Sequence, residues 1–466
     1  MSGSFIQPKA FVMRAINYSL LSKHYSVKNL GAFAVTFILL ATIGILIWNC
    51  EKVSQNISRS VSNEKQEYIS GHYDYDSTSF LIAVKPKPWY FTNGTRYPKP
   101  ASISNETGIR DAKLLPDEDP GNDRIVNQMM FIPPNYDPSR RKVVMKTIYM
   151  LRIPDWWRRK SGESAFVDSK CPVDACRITD DPKERKNADL VIFYNDFTPS
   201  NERRPPKQLY AMYYTEPPVF TNSLDRPDVI NWTISYRYDS TIVAPYNKWL
   251  YYDPRIKQKE QDQNHAANKT KKVAWFVSNC GGARNGRLEY AKELQKHIQV
   301  DIYGKCGNLT CTCKDSEKCF DMLDEDYKFY LSFENSNCKD YITEKFFDTG
   351  LRRNVLPIVM GAPRSTYEKY APHRSYIHVE DFESPKELAE YLHILDRNDN
   401  LYNSYFKWRG TGEFTGPHFF CRLCAMLHDD YIFSTPRWYS NMNEWQHGKD
   451  ICIKGFWRDV QTNKGN

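Results

Sequence analysis

The chain has 466 residues, of which 41% are hydrophobic and 14% aromatic, with a formal net charge of +8. That length exceeds one typical core and implies two domains plus non-globular pieces, and that apolar content excludes a largely disordered protein. The basic residues are scattered rather than gathered into one stripe, which argues against a nucleic acid partner and for a solvated surface with a local anion site.

Residues 30–48 contain no charged side chain and, at about 1.5 Å per residue, are long enough to cross a bilayer core of about 30 Å. Lys9, Arg14, Lys23 and Lys28 precede this run without any Asp or Glu. Basic flanks stay cytoplasmic, so 1–29 is expected to be a cytoplasmic tail, 30–48 an uncleaved signal-anchor and everything beyond it lumenal. Residues 49–140, rich in Ser, Asn, Asp and Pro, read as a stem. Sequons at Asn56, Asn93, Asn105, Asn268 and Asn308 suit a lumenal chain, whereas Asn231 also matches the pattern but sits in an expected buried strand.

From 141 to 257 the runs VVMKTIYM, ADLVIFYND and QLYAMYYTEP predict strands of an N-terminal α/β domain. A polar linker is expected at 258–272 and a second α/β domain at 273–410. Val273 opens a strand there, and a turn containing Gly281, Gly282 and Gly286 leads into a helix with Leu288, Ala291, Leu294 and Ile298 on one side. Ser384, Pro385 and Glu387 have the pattern of a helix start, with Leu388, Leu392 and Leu395 behind it. Alternating strands and helices imply parallel sheets. The remainder, 411–466, is a cysteine-containing segment. Cys171 with Cys176, and Cys421 with Cys424, are close enough for local bridges, although spacing does not fix connectivity. The cluster Cys306, Cys311, Cys313 and Cys319 lacks paired zinc knuckles, and disulfides suit an oxidising lumen better. Eleven cysteines beyond Cys50 leave at least one unpaired.

Residues 327–361 read as a strand, a polar loop, a helix and a second strand. Ile342, Phe346 and Phe347 are placed on one side of the helix and Tyr341, Glu344, Lys345 and Asp348 on the other. The order Phe333-Glu334-Asn335 followed by Tyr341-Ile342-Thr343-Glu344-Lys345 resembles the donor-binding signature of the α1,3-fucosyltransferases, glycosyltransferase family 10. The likeness extends to SNCGGARNGRLEYAKEL at 278–294, VDIYGKCG at 300–307 and NWTISYRYDS at 231–240. It covers the last two thirds of the chain and is closest to invertebrate enzymes acting on the N-glycan core.

The resemblance implies a GT-B architecture, with two Rossmann-like domains facing across a cleft, and GDP-fucose as donor. Arg287, at the turn into its helix, and Lys345 are expected to hold the diphosphate, while Asn335, Tyr341 and Glu344 contact the donor. The family's base corresponds to Glu216 in YYTEPP, where two prolines stop a strand and leave the carboxylate at its C-terminal rim. This chain has Pro217-Pro218 where the family often continues Ser-Pro. Arg237 and Asp239 are placed in the same cleft. Asp324-Glu325-Asp326 looks like a metal motif but lies in an acidic connector, so no obligatory metal is expected, with stimulation by Mn2+ left open. The implied product is an α1,3-fucosylated Asn-linked GlcNAc on glycoproteins, made at the Golgi membrane by a single-pass type II protein. Loops around Trp156, Trp157 and 171–177 are expected to select the acceptor. The alternatives are a Lewis-type enzyme acting on N-acetyllactosamine, a transferase using another nucleotide sugar, and a non-catalytic lumenal glycan-binding protein.

Overall fold

The computed structural model describes residues 89–92, 113–137, 143–151, 161–200, 203–311, 316–434 and 437–459, all within one compact unit spanning Val84–Asn466. The expected anchor and most of the expected stem, with Asn56, Asn93, Asn105, Cys50, Cys313, Trp156 and Trp157, lie outside the described residues.

The first sheet has six parallel strands: β1 (Lys146–Met150), β2 (Cys176–Thr179), β3 (Leu190–Tyr194), β4 (Leu209–Tyr214), β5 (Trp232–Ser235) and β6 (Ile242–Val243), ordered β2-β1-β3-β4-β5-β6. Side chains alternate between its faces. Ile148, Leu190, Ile192 and Ala211 enter one core, and Tyr149, Val191, Phe193 and Met212 enter another. Burial on both faces explains why β3 and β4, LVIFY and LYAMYY, are apolar without a break.

β7 (Lys248–Tyr251) leads to the second sheet. Its five parallel strands are β8 (Lys271–Phe276), β9 (Val300–Tyr303), β10 (Tyr327–Phe333), β12 (Leu356–Met360) and β13 (Ile377–His378), ordered β13-β12-β10-β8-β9. Helices α1 (Arg287–Gln295) and α2 (Pro385–Arg397) pack on one face through Ala291, Leu294, Leu388, Leu392 and Leu395. The Ser384 Oγ accepts from the Glu387 N–H at 3.3 Å, the cap expected from the sequence.

The chain beyond 410 ties the two sheets together instead of standing apart. β14 (Gly412–Thr415) pairs with β7, and helix α3 (Phe419–Leu427), buried at every position, completes the first core. β15 (Cys452–Ile453) then pairs with β11 (Asn337–Cys338) beside the second sheet, reinforced by Cys338–Cys452. The local-bridge expectation is corrected here: the disulfides are Cys171–Cys421 and Cys176–Cys424. Cys421 and Cys424, three residues apart, share one face of α3 and meet the two cysteines of the first domain together. Cys280–Cys306 and Cys311–Cys319 complete the pairs among the described residues.

Two further boundaries differ. Leu114, Leu115 and Phe131 belong to the first core, and Arg124 is buried with its guanidinium donating to the Tyr238 and Ser240 carbonyls, so this part of the expected stem is packed structure. In the expected linker, Lys269 is buried and donates to the carbonyls of Asp324 and Tyr327 at 2.6 and 2.7 Å, and burial pulls its ammonium down to about 8. Asn231 is buried, its side chain accepting from the Tyr210 N–H at 2.9 Å and donating to Arg437 O at 3.0 Å. It is therefore closed to glycan attachment, whereas Asn268 and Asn308 are exposed.

Candidate active site

β10 ends at Phe333, and Glu334 continues its ladder by donating its N–H to Met360 O at 2.9 Å. The Glu334 side chain is wholly buried against Gly361, where a Cβ would lie 2.8 Å from its Cγ, so that position demands glycine. Its carboxylate accepts from the Thr343 N–H at 2.8 Å and the Thr343 hydroxyl at 2.9 Å, with Lys345 Nζ at 3.4 Å. Thr343 in turn caps the short helix Glu344–Phe346, which continues as a π-helical turn over Phe347–Leu351. The cap fixes Lys345, whose ammonium also donates to Thr343 Oγ1 and Glu344 Oε1, each at 3.0 Å. Burial pushes the Glu334 carboxyl above its ordinary value, and burial would lower Lys345, but Glu334 and Glu344 together hold the ammonium above its own. Burial likewise opposes ionisation of Glu344, yet Lys345 keeps its carboxyl below the usual value.

Tyr341 precedes this helix rather than sharing its face, which corrects the expected placement. It is buried, its ring 5.0 Å from that of Tyr236 on the first domain. Tyr341 stands near enough to Glu216, two residues beyond β4, to lower its carboxyl. Pro217 and Pro218 turn the chain there into a 3-10 segment, and the Thr215 N–H is fixed by Asn195 Oδ1 at 3.0 Å. The Glu216 carboxyl is half-buried and raised in pKa: burial raises it first, Lys345 lowers it, Glu344 raises it. The expected base is thus within electrostatic reach of the expected donor residues although they come from different sheets. Glu216 also lines a cavity of about 540 Å³ together with Tyr194, Tyr213, Tyr246, His418 and Phe419. A carboxylate among aromatic walls suits a sugar hydroxyl approaching from that side.

Not every expected residue projects into the site. Arg287 is buried, and its Nη1 and Nη2 donate to Phe333 O at 2.8 Å and Asn279 O at 3.1 Å. The guanidinium expected to clamp phosphate is committed to main chain here and ties the glycine-containing turn to the end of β10. Arg237 is buried, pairs with Asp239 and has its guanidinium carbon 4.1 Å from the Trp445 ring centroid. Neither Arg237 nor Asp239 lines the cavity at Glu216. Asp324 and Asp326 are spent on the Asn354 N–H at 2.6 Å and on Lys271 at 2.9 Å.

Glu334 and Asn285 are contributors the sequence reading did not assign. Asn285 donates to Glu334 O at 3.1 Å and Asn337 Oδ1 at 2.8 Å. The signal for Glu334 was present in Phe333-Glu334-Asn335, since an acid ending an otherwise apolar strand is costly to bury without a partner. Around the end of β10, Asn285 Oδ1, Asn335 Oδ1 and Arg287 Nε are buried and find no hydrogen-bond partner among the described residues. Such a cluster fits a polar ligand.

Two parallel α/β sheets that bring a carboxylate from one to a carboxylate–lysine cluster on the other define the chain as a group-transfer enzyme of the glycosyltransferase type. Residues 266–445 match the family model described as glycosyltransferase family 10 (fucosyltransferase) C-term, and 145–247 match fucosyltransferase, N-terminal. The chain is 53% identical over 383 residues to Drosophila melanogaster glycoprotein 3-alpha-L-fucosyltransferase A, covering 81% of this chain and 76% of that protein. It is 38% identical over 279 residues to human 3-galactosyl-N-acetylglucosaminide 4-alpha-L-fucosyltransferase FUT3, covering 56% of this chain and 73% of that one. A solved alpha1,3-fucosyltransferase with GDP-fucose aligns with 19% identity and a TM-score of 0.43, over 67% of this chain and 98% of that structure. The chain belongs to glycosyltransferase family 10, the fucosyltransferases.

Proposed function

We propose that this enzyme transfers L-fucose from GDP-β-L-fucose, with inversion, to O3 of the Asn-linked GlcNAc of N-glycans on glycoproteins. The observation that carries the reading is the half-buried Glu216 carboxylate just beyond β4, which lines the aromatic cavity and lies within electrostatic reach of Lys345. In a single displacement Glu216 takes the acceptor hydroxyl's proton as the oxygen attacks the anomeric carbon, and no enzyme nucleophile is needed. Lys345 and main-chain N–H groups near the end of β10 take up charge on the departing GDP. The glycoprotein acceptor is the one named for the Drosophila relative. The two sheets act as the two halves of a GT-B enzyme. The apolar run 30–48 with its basic flank supports a single-pass type II protein of the Golgi membrane with the catalytic part lumenal.

Two measurements bear on this reading. Offered a GlcNAc-terminated N-glycopeptide and N-acetyllactosamine with GDP-fucose, the enzyme should fucosylate the glycopeptide; fucose on the lactosamine alone would make it a Lewis-type enzyme, and no GDP release with either would make it a glycan-binding protein. Activity should also persist after exhaustive chelation, because Asp324 and Asp326 are occupied by Asn354 and Lys271 and protein cations can stabilise the leaving diphosphate. Complete loss in EDTA, restored by Mn2+, would contradict that assignment.

A further inference from the structure

A second cavity, of about 620 Å³, lies beside β7 and the helix Arg364–Tyr370, and it shares no lining residue with the cavity at Glu216. Its walls carry five Lys or Arg side chains against two carboxylates, so the question is which cations are already neutralised. Glu368 and Asp381 both pair with Arg364, and Lys248 pairs with Asp123. Lys257, Lys369 and Arg374 are exposed and have no ion-pair partner among the described residues. The wall is positive enough that Lys257 and Arg374 add to burial in holding the His373 imidazole below its ordinary value.

Half of the remaining wall is aromatic, with Phe91, Trp249, Tyr251, Tyr376 and Tyr405. The Trp249 and Tyr251 rings stand at 87° to each other and do not form the parallel slot that a nucleobase enters. Trp249 is buried, and its indole Nε1–H has no acceptor among the described residues. Ring faces pack against the C–H face of a sugar, and uncompensated Arg and Lys side chains take a carboxylate or sulfate. The segment 93–112, which leaves the wall residue Phe91 by way of Thr92, has three basic and two acidic residues and so offers these cations no net negative charge.

We propose that this cavity is a second saccharide site, selective for sugars bearing a carboxylate or sulfate, in which Lys257 and Arg374 take the anion and the aromatic wall takes the ring. Tyr376 packs edge-on against Phe346 at 5.8 Å, so an occupant sits one side chain from the residue that follows Lys345. The site is independent of the transfer reading, and its test is a binding measurement.

Full-length protein in detergent, titrated at constant ionic strength, is offered a sulfated disaccharide, a uronic acid disaccharide and the neutral disaccharide. At least one anionic sugar should bind about tenfold or more tighter than the neutral one, the two anionic arms showing which group is preferred. Lys257→Ala/Arg374→Ala should lose about tenfold or more of that affinity with GDP binding and thermal unfolding unchanged. Tyr405→Ala should weaken anionic and neutral sugars alike. Equal affinity for charged and neutral sugars, undiminished binding in the double variant, or equally tight binding of inorganic sulfate or of an acidic peptide would each overturn the proposal.

Discussion

Replacing Glu216 with Gln should lower turnover by roughly 10²- to 10⁴-fold while leaving GDP affinity unchanged, because a general base acts only in the reaction step. The substitution is close to isosteric, and the Gln side chain keeps an acceptor oxygen in the same place. What it removes is the capacity to take a proton. The pH profile gives an independent readout. Burial raises the Glu216 carboxyl above its ordinary value of 4.5, with Glu344 adding to the shift and Lys345 opposing it. Since the base must be ionised, kcat/KM should fall on the acid side through a pKa above 4.5, and the residual activity of Glu216→Gln should lack that limb. A folded variant with near wild-type turnover would remove Glu216 from the mechanism. Loss of activity accompanied by loss of GDP binding would point instead to a collapsed cleft.

The sequence makes the strands legible for one physical reason: β4 and β12 are buried on both faces, so their apolar runs are continuous and bounded by polar turns. The Ser384 cap is equally legible because its chemistry is local. What fails depends on contacts distant in sequence. Helical spacing puts Tyr341 on the face of Glu344 and Lys345, but the helix starts only at Glu344, where Thr343 bonds to Glu334 nine residues back. The cysteine pairs span 250 and 248 residues, and nothing in the local spacing of Cys171, Cys176, Cys421 and Cys424 reveals that α3 returns to the first sheet. Arg287 illustrates a third limit: an Arg beside a glycine-containing turn suits a phosphate by type, and only the structure shows its nitrogens on Phe333 O and Asn279 O. Residues 113–137 lack periodicity and give no local sign of packing, yet Leu114, Leu115 and Phe131 supply core.

Lys345→Ala should have the second large effect, and it should divide into two parts that different variants separate. Lys345 lies 3.4 Å from the buried Glu334 carboxylate and 3.0 Å from Glu344, while 28% of its side chain remains exposed. Removing it deletes a charged hydrogen bond to a bound diphosphate, worth about 1.5 to 3 kcal/mol, so GDP and GDP-fucose should both weaken by roughly 10- to 150-fold. It also leaves Glu334 as an uncompensated buried charge, which costs about 3 to 5 kcal/mol of stability. That second cost has a definite sign with pH. Glu334 already titrates above its unfolded value, and without Lys345 its folded pKa rises further. The destabilisation of Lys345→Ala should therefore be absent below the ordinary carboxyl value of 4.5, where Glu334 is protonated in both states, and should grow as pH rises through the folded pKa. Adding Glu334→Gln removes the buried charge, so the double variant should recover most of the thermal stability at neutral pH yet bind GDP as weakly as Lys345→Ala alone. Recovery of GDP affinity together with stability would mean that Lys345 serves only to neutralise Glu334, and the donor's diphosphate would then have to be held by other groups at the end of β10.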